Sequence, residues 1–366
     1  KPRTMEIRVS PREPFKIYYV KDVNIFTDGT YENRNEIRTD SITYNNYNLY
    51  TIGKMRFRPK ALTDAVFIAP NTLFKDIDRT RTYRYLSELR TFKYPDIKYT
   101  ENDDSTLSTD IFLTPLKKFS LGFSTEVTQS NIQTLGLAIN PSLMIRNIFR
   151  GAETLQISAI GSIGSSKDAA NNSSKQFFDI NEIGADLKLT IPRFFSPFNT
   201  ERIVPKYMSP STRISLSTTS QTNIGLDKQT FNGILSYNWH PSPKLTDRLD
   251  LFNVQYVRNL NIDRYFEVYS TSYNSLNQIA KDVSYDDPDY IDANGNLLIP
   301  EGTDAFLEYT LSTPPPSEIS EDQLKEVNSI DERKTRLTEN NLIIASSYSL
   351  VKDTRQNLYD EDFSIF

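Results

Sequence analysis

The chain has 366 residues, a formal net charge of −5, no cysteine and one histidine, His240. Its 21 Tyr and 21 Phe are too many for a disordered chain, while its aliphatic share is low for the core of a soluble α/β enzyme of this size. The mild acidity gives no warrant for nucleic-acid binding, and no stretch approaches the roughly 18 apolar residues of a membrane-spanning helix, which leaves strand-built membrane proteins open.

No secretory leader is visible. The chain opens in what reads as the tail of a strand, Met5–Val9, so residues 1–12 are expected to end a preceding domain or linker. Residues 14–27 alternate and are rich in β-branched and aromatic types, which predicts a strand. Residues 28–58 are polar and tyrosine-rich without clear period and read as an insertion. Pro59 is placed to open a short helix over 59–67. A firmer helix is predicted over about 73–92, with Leu86, Leu89 and Phe92 at three-residue spacing on one face. Strands follow near 95–100 and 106–114. This order within residues 13–116 describes a small α+β domain with helices on one face of a sheet.

After Pro115 the texture changes to segments of period two. Phe119, Leu121, Phe123 and Val127 alternate with Ser120, Gly122, Ser124 and Glu126. Ile183, Ala185, Leu187, Leu189 and Ile191 alternate with Gly184, Asp186, Lys188 and Thr190. Phe231, Gly233, Leu235, Tyr237 and Trp239 form a third such face, and similar strands are expected near 132–144, 153–164, 211–222, 248–260 and 340–352. Alternation of this kind suits a soluble β-sandwich as well as a membrane barrel. Segment lengths of 9–11 residues and a polar face carrying Asp, Lys, Glu and Asn favour an antiparallel transmembrane β-barrel over 117–366. Links at 145–152 and 240–247 are short, whereas 262–337 is very long and holds the acidic run Asp286, Asp287 and Asp289, an NGN turn and a triple proline. With short turns on the periplasmic side, 262–337 becomes an extracellular loop.

Several of these stretches resemble the BamA/TamA superfamily of POTRA-barrel outer-membrane assembly proteins. FRPKALTDAVFI, TRTYRYLSEL and LSTDIFLTP look like the last POTRA domain before the barrel. NPSLMIRNIFRGAETLQIS (140–158) is similar to a periplasmic link of that family. QTNIGLDKQTFNGILSYNW (221–239) and RLDLFNVQYVRNLN (248–261) look like the TamA-like branch of Bacteroidota, often called TamL. SYSLVKDTRQNLYDEDF (347–363) resembles the turn between the eighth and ninth strands. Members of the family carry further POTRA domains, sixteen strands and an Arg-Gly loop, so the chain is expected to hold the first eight or so strands of an incomplete barrel.

The resemblance implies a lateral gate at the first barrel strand, with Phe119, Gly122, Phe123, Thr125 and Val127 on an edge that pairs with incoming β-segments by β-augmentation. Gly122 would loosen that strand; the plainer reading is an ordinary barrel strand with an ordinary glycine. Arg146, Asn147, Phe149, Arg150, Gly151 and Glu153 crowd one turn, where Gly151 is suited to positive φ, Asn147 to bonding nearby backbone, and Arg150 to an ion pair with Glu153. That turn either docks on the POTRA-like domain and sets the angle of the gate, or is stabilised for its own sake. Arg79, Arg81, Arg84 and Arg90 read as a solvated helix face rather than a docking patch. The acidic run at 286–289 lacks EF-hand spacing for Ca²⁺.

Enzyme signatures are missing. GSIGSS (161–166) is a weak phosphate-loop mimic in an expected hairpin loop, and His240 beside Pro241 reads as a turn residue. The implied function is a non-enzymatic outer-membrane insertion factor without cofactors or ATP. Its implied partners are unfolded outer-membrane protein clients, the lipid bilayer, and a periplasmic or inner-membrane partner met through the POTRA domains. A passive or two-partner secretion pore and a soluble β-rich binding module are the alternatives.

Overall fold

The computed structural model describes residues 16–30, 32–33, 36–129, 133–166, 180–222, 227–242, 244–354 and 364–365. The strand expected within residues 1–12, and most of the turn stretch 347–363 beyond Thr354, lie outside them.

The N-terminal domain contains β1 (Tyr19–Phe26), β2 (Asp40–Tyr44), β3 (Tyr47–Thr51), α1 (Pro59–Thr63), β4 (Thr72–Leu73), α2 (Asp76–Glu88), β5 (Phe92–Glu101) and β6 (Thr106–Pro115). Its main sheet runs β2-β3-β1-β6-β5, with β4 on β1. Pro59 starts α1, where its missing N–H costs nothing. Asp76 and Asp78 lie in the first turn of α2, favourable at the positive end of the helix dipole. Leu86, Leu89 and Phe92 are all buried, but the helix stops at Glu88 and Arg90 takes a left-handed φ of 51°, so Phe92 reaches the core from β5. Residues 28–58 are not a shapeless insertion: 40–51 form a β-hairpin. Asn45 and Asn46 have φ of 50° and 65°, the two left-handed positions that a two-residue hairpin turn requires, and Asn tolerates them. Tyr47 and Leu49 then bury against β1.

The remaining strands are β7 (Phe119–Thr128), β8 (Gln133–Arg146), β9 (Thr154–Ser166), β10 (Ile180–Ile191), β11 (Ser211–Thr222), β12 (Asp227–Ser242), β13 (Leu245–Leu260), β14 (Asn341–Asp353) and β15 (Ser364–Ile365). They pair antiparallel in chain order from β7 to β15, as one sheet whose two edges do not meet among the described residues. All eight expected strands are present. GSIGSS is the end of β9 rather than a loop, and His240 lies within β12, its Nδ1 3.0 Å from Thr246 Oγ1.

Register sorts the two faces. One paired row reads Leu121, Leu143, Ile157, Leu187, Leu216, Gly233, Val254 and Ile344 across β7 to β14. The neighbouring row on the other face reads Gly122, Ser142, Ser158, Asp186, Ser217, Asn232, Gln255 and Ile343. The apolar row is not stacked on a second sheet: Leu121 is 85% exposed and Ile344 66%. The described strands of this sheet therefore do not form a two-sheet sandwich. Each such side chain left in water forgoes about 1.5–3 kcal/mol of transfer free energy, and a continuous exposed apolar face of this kind marks a membrane or protein contact.

Links between strands are less regular than expected. At the end of the sheet nearer the N-terminal domain, 147–153 and 243–244 are short, but 192–210 is long. At the opposite end stands the segment between β13 and β14, and it is not a loose loop. It folds into α3 (Tyr265–Val268), α4 (Ser270–Asp282), α5 (Glu301–Thr310) and α6 (Glu321–Thr338) around its own core of Tyr265, Phe266, Leu276, Phe306 and Val327. Ser320 and Gln323 form a reciprocal capping box at the start of α6. Residues 261–340 carry 17 acidic and six basic side chains, a balance that suits an outer surface in water. Asp287 Oδ1 accepts the backbone N–H of Asp289, which gives the acidic run a local turn role. Phe306→Ala is expected to cost the unit about 3–5 kcal/mol. Hydrogen exchange should accelerate within 265–338 while the strand amides of β13 keep their protection.

Candidate functional site

The site begins at the sheet's first edge. β7 is terminal in the strand order, and its residues from Phe119 to Val127 are exposed on both faces. Phe119, Phe123, Thr125 and Val127 lie on the apolar face with Leu121, and Glu126 is on the polar one. In an antiparallel edge strand half of the backbone N–H and C=O groups point away from the sole neighbour, forming a template for another strand. Pairing with β8 is continuous from Phe119 to Thr128, so Gly122 introduces no irregularity. At the other edge, the side of β14 that faces away from β13 is paired, among the described residues, by β15 alone, at Lys352 and Asp353.

The turn 146–153 joins this edge to the N-terminal domain. The Arg58 N–H donates to Arg150 O at 2.7 Å, and Arg150 returns a guanidinium bond to Met55 O at 3.0 Å. Asn147 Nδ2 donates to Arg56 O at 3.0 Å, while its Oδ1 accepts the Ala152 N–H at 3.1 Å. Arg146 spans Arg90 O and Lys117 O, at 3.0 and 3.1 Å. Ala152 is part of the N-terminal domain's core, whereas Phe149 projects outward, 53% exposed. The turn thus docks on the small domain through backbone carbonyls.

Two expectations about this turn need correction. Arg150 does not pair with Glu153. Glu153, 1% exposed, instead receives Arg193 at 2.8 Å from the link between β10 and β11, together with the Gly151 N–H at 2.8 Å. Left-handed φ falls on Asn147, Arg150 and Ala152 (54°, 66° and 62°), not on Gly151. Gly151 is needed for space: a Cβ there would lie 2.2 Å from Glu153 Oε1 and 2.9 Å from an Arg193 nitrogen. Burial opposes the charge on Glu153, but the Arg193 bond and the N–H groups of Glu153 and Gly151 outweigh it and hold the carboxyl below its ordinary value.

The 192–210 link makes a second contact that the sequence reading missed. Tyr85 on α2 donates to Pro192 O at 2.8 Å, and burial pushes its phenol pKa upward. Lys206 Nζ reaches Val66 O at 3.4 Å and lies 5.7 Å from the Phe67 ring centre, and Arg81 sits 5.6 Å from that of Tyr207. Arg81 is therefore part of a docking surface as well as an Asp78 partner. Arg84 pairs with Glu88 at 3.7 Å, and Arg79 is exposed. The only hint in the sequence was the density of proline and aromatic residues in IPRFFSPFNTERIVPKYM.

No family model matches the sequence, and no curated protein matches it either. Among solved structures the chain is similar to BamA and CdiB. BamA from Haemophilus ducreyi lacking POTRA domains 1–3 aligns over 87% of this chain and 49% of its own, at 8% identity and a TM-score of 0.42. CdiB from Acinetobacter baumannii aligns over 66% of this chain and 46% of its own (11% identity, TM-score 0.30), and CdiB from Escherichia coli over 70% and 62% (13%, 0.25). The chain spans about half the length of the first two.

Proposed function

We propose that this chain is part of an outer-membrane assembly factor of the BamA/TamA kind, with a periplasmic POTRA-type domain and the first strands of a transmembrane barrel. The observation that carries the reading is the edge strand β7, unpaired on its outer side among the described residues, at the margin of a sheet with one apolar and one polar face. In hydrocarbon each unpaired backbone group costs several kcal/mol, so a client strand that pairs with Phe119–Thr128 relieves a cost on both chains. Pairing and lipid burial of the client's apolar face supply the free energy, and no ATP is required. The docked turn, through Arg146, Asn147, Arg150 and Glu153, holds the edge at a set angle to the periplasmic domain. The TamA-like branch and its Bacteroidota origin belong to the same reading, on the strength of 221–239 and 248–261.

Cysteines placed singly along 119–128 of the full-length protein are expected to crosslink to nascent barrel strands at alternate positions. Uniform failure along the strand removes the gate role. A secretion pore is the competing reading, supported by the polar cavity of 450 Å³ lined by Asp186, Lys188, Arg213 and Asn232. Steady conductance through the complete barrel, with no effect of its depletion on the assembly of other barrels, would favour it.

A further inference from the structure

Where β7 leaves the N-terminal domain, a cleft of 620 Å³ opens between that domain and the ends of β7 and β8. Five cations line it, Lys54, Arg56, Lys118, Arg146 and Arg150, and no carboxylate does. None of the five forms an ion pair among the described residues. Arg146 and Arg150 bond neutral carbonyls, which position the guanidinium groups and leave their charge uncompensated. Lys118 Nζ stands 5.7 Å from the ring centre of the exposed Phe119. Like charges gathered in one concavity raise the local potential and concentrate anions.

The level of the cleft narrows the choice of anion. Phe119 and Ile145 are the last paired positions of the apolar face on β7 and β8 at this end, and Lys118 and Arg146 follow directly. In a bilayer that is the depth at which hydrocarbon gives way to phosphate, where aromatic and basic side chains anchor. Phe57 and Ile148 add an apolar wall that a small inorganic ion would not use. We propose that the cleft holds the phosphate-bearing headgroup of an anionic phospholipid, seating one lipid at the foot of the free edge strand. The proposal rests on the reading of the apolar face as lipid-facing.

The test is native mass spectrometry of the full-length protein released from micelles that contain equal phosphatidylglycerol and phosphatidylcholine. Wild type is expected to retain phosphatidylglycerol at least about tenfold over phosphatidylcholine, the preference that one or two basic contacts alone would give. The triple variant Lys54→Gln, Arg56→Gln, Lys118→Gln, which spares the two docking arginines, should lower the ratio severalfold, with the residual preference carried by Arg146 and Arg150. Equal retention of both lipids by wild type overturns the proposal without recourse to the variant. So does an unchanged preference in a folded triple variant, displacement of the lipid by millimolar inorganic phosphate, or displacement by a short peptide through its terminal carboxylate. Failure of the lipid-facing reading shows separately, as a protein that stays dispersed without detergent.

Discussion

Gly151→Ala is expected to loosen the N-terminal domain from the sheet by about 2–3 kcal/mol, from overpacking and a disrupted charged hydrogen bond. The new methyl group meets the Glu153 carboxylate at 2.2 Å, and the backbone carbonyls behind the turn are committed to Arg58, Arg146, Asn147 and Arg150. The carboxylate must therefore leave Arg193 or the turn must leave the domain core that holds Ala152. Hydrogen exchange at the Ala152 amide, which donates to Asn147 Oδ1, should rise roughly 30- to 140-fold. Glu153→Gln keeps the shape and removes the charge, so a smaller change is expected. Acidification should mimic it. The folded carboxyl lies below its ordinary value of 4.5, so its contribution is complete above that pH and is lost as pH falls through the native value. Docking that is unaltered in Gly151→Ala, or equally strong at either side of this window, would show that the pair is incidental.

The second large effect separates the two faces of the sheet. Leu216→Arg, in the middle of the apolar row, is expected to cost about 2–4 kcal/mol of folding free energy in phosphatidylcholine vesicles, the penalty for arginine at mid-depth on a lipid-facing strand. Ser217→Arg, one residue along, enters the polar face between Asp186 and Asn232 and is expected to change stability by less than about 1 kcal/mol. Denaturant titration of both variants reads the difference directly. Equal costs at the two positions, or the reverse order, would be incompatible with hydrocarbon on the Leu216 side.

Strand content was readable because the physical requirement is local. A strand with one wet face must place apolar residues at every second position, and Phe119–Val127 or Ile183–Ile191 do so without reference to any neighbour. The helices of the acidic unit were equally local in principle. Ser320 with Gln323, and Leu324, Val327 and Ile330 at three-residue spacing, announce α6, but the acidic and proline-rich stretches around them masked the period. The hairpin 40–51 was missed for a related reason: its turn uses Asn45 and Asn46 where glycine would have been the plainer signal.

What the chain alone determined is the alternation, and through it which side chains share a face, because side-chain direction in a strand follows from backbone geometry. It also marked the turn 146–153 as unusual by its residue types. Only the tertiary structure decided that the apolar face stays uncovered, and that Glu153 answers to Arg193 forty positions away rather than to Arg150 beside it. It also decided that Gly151 is small to make room rather than to bend. Those outcomes depend on which links lie side by side once nine strands have paired in register, and partners brought together by loop closure leave no trace in local spacing.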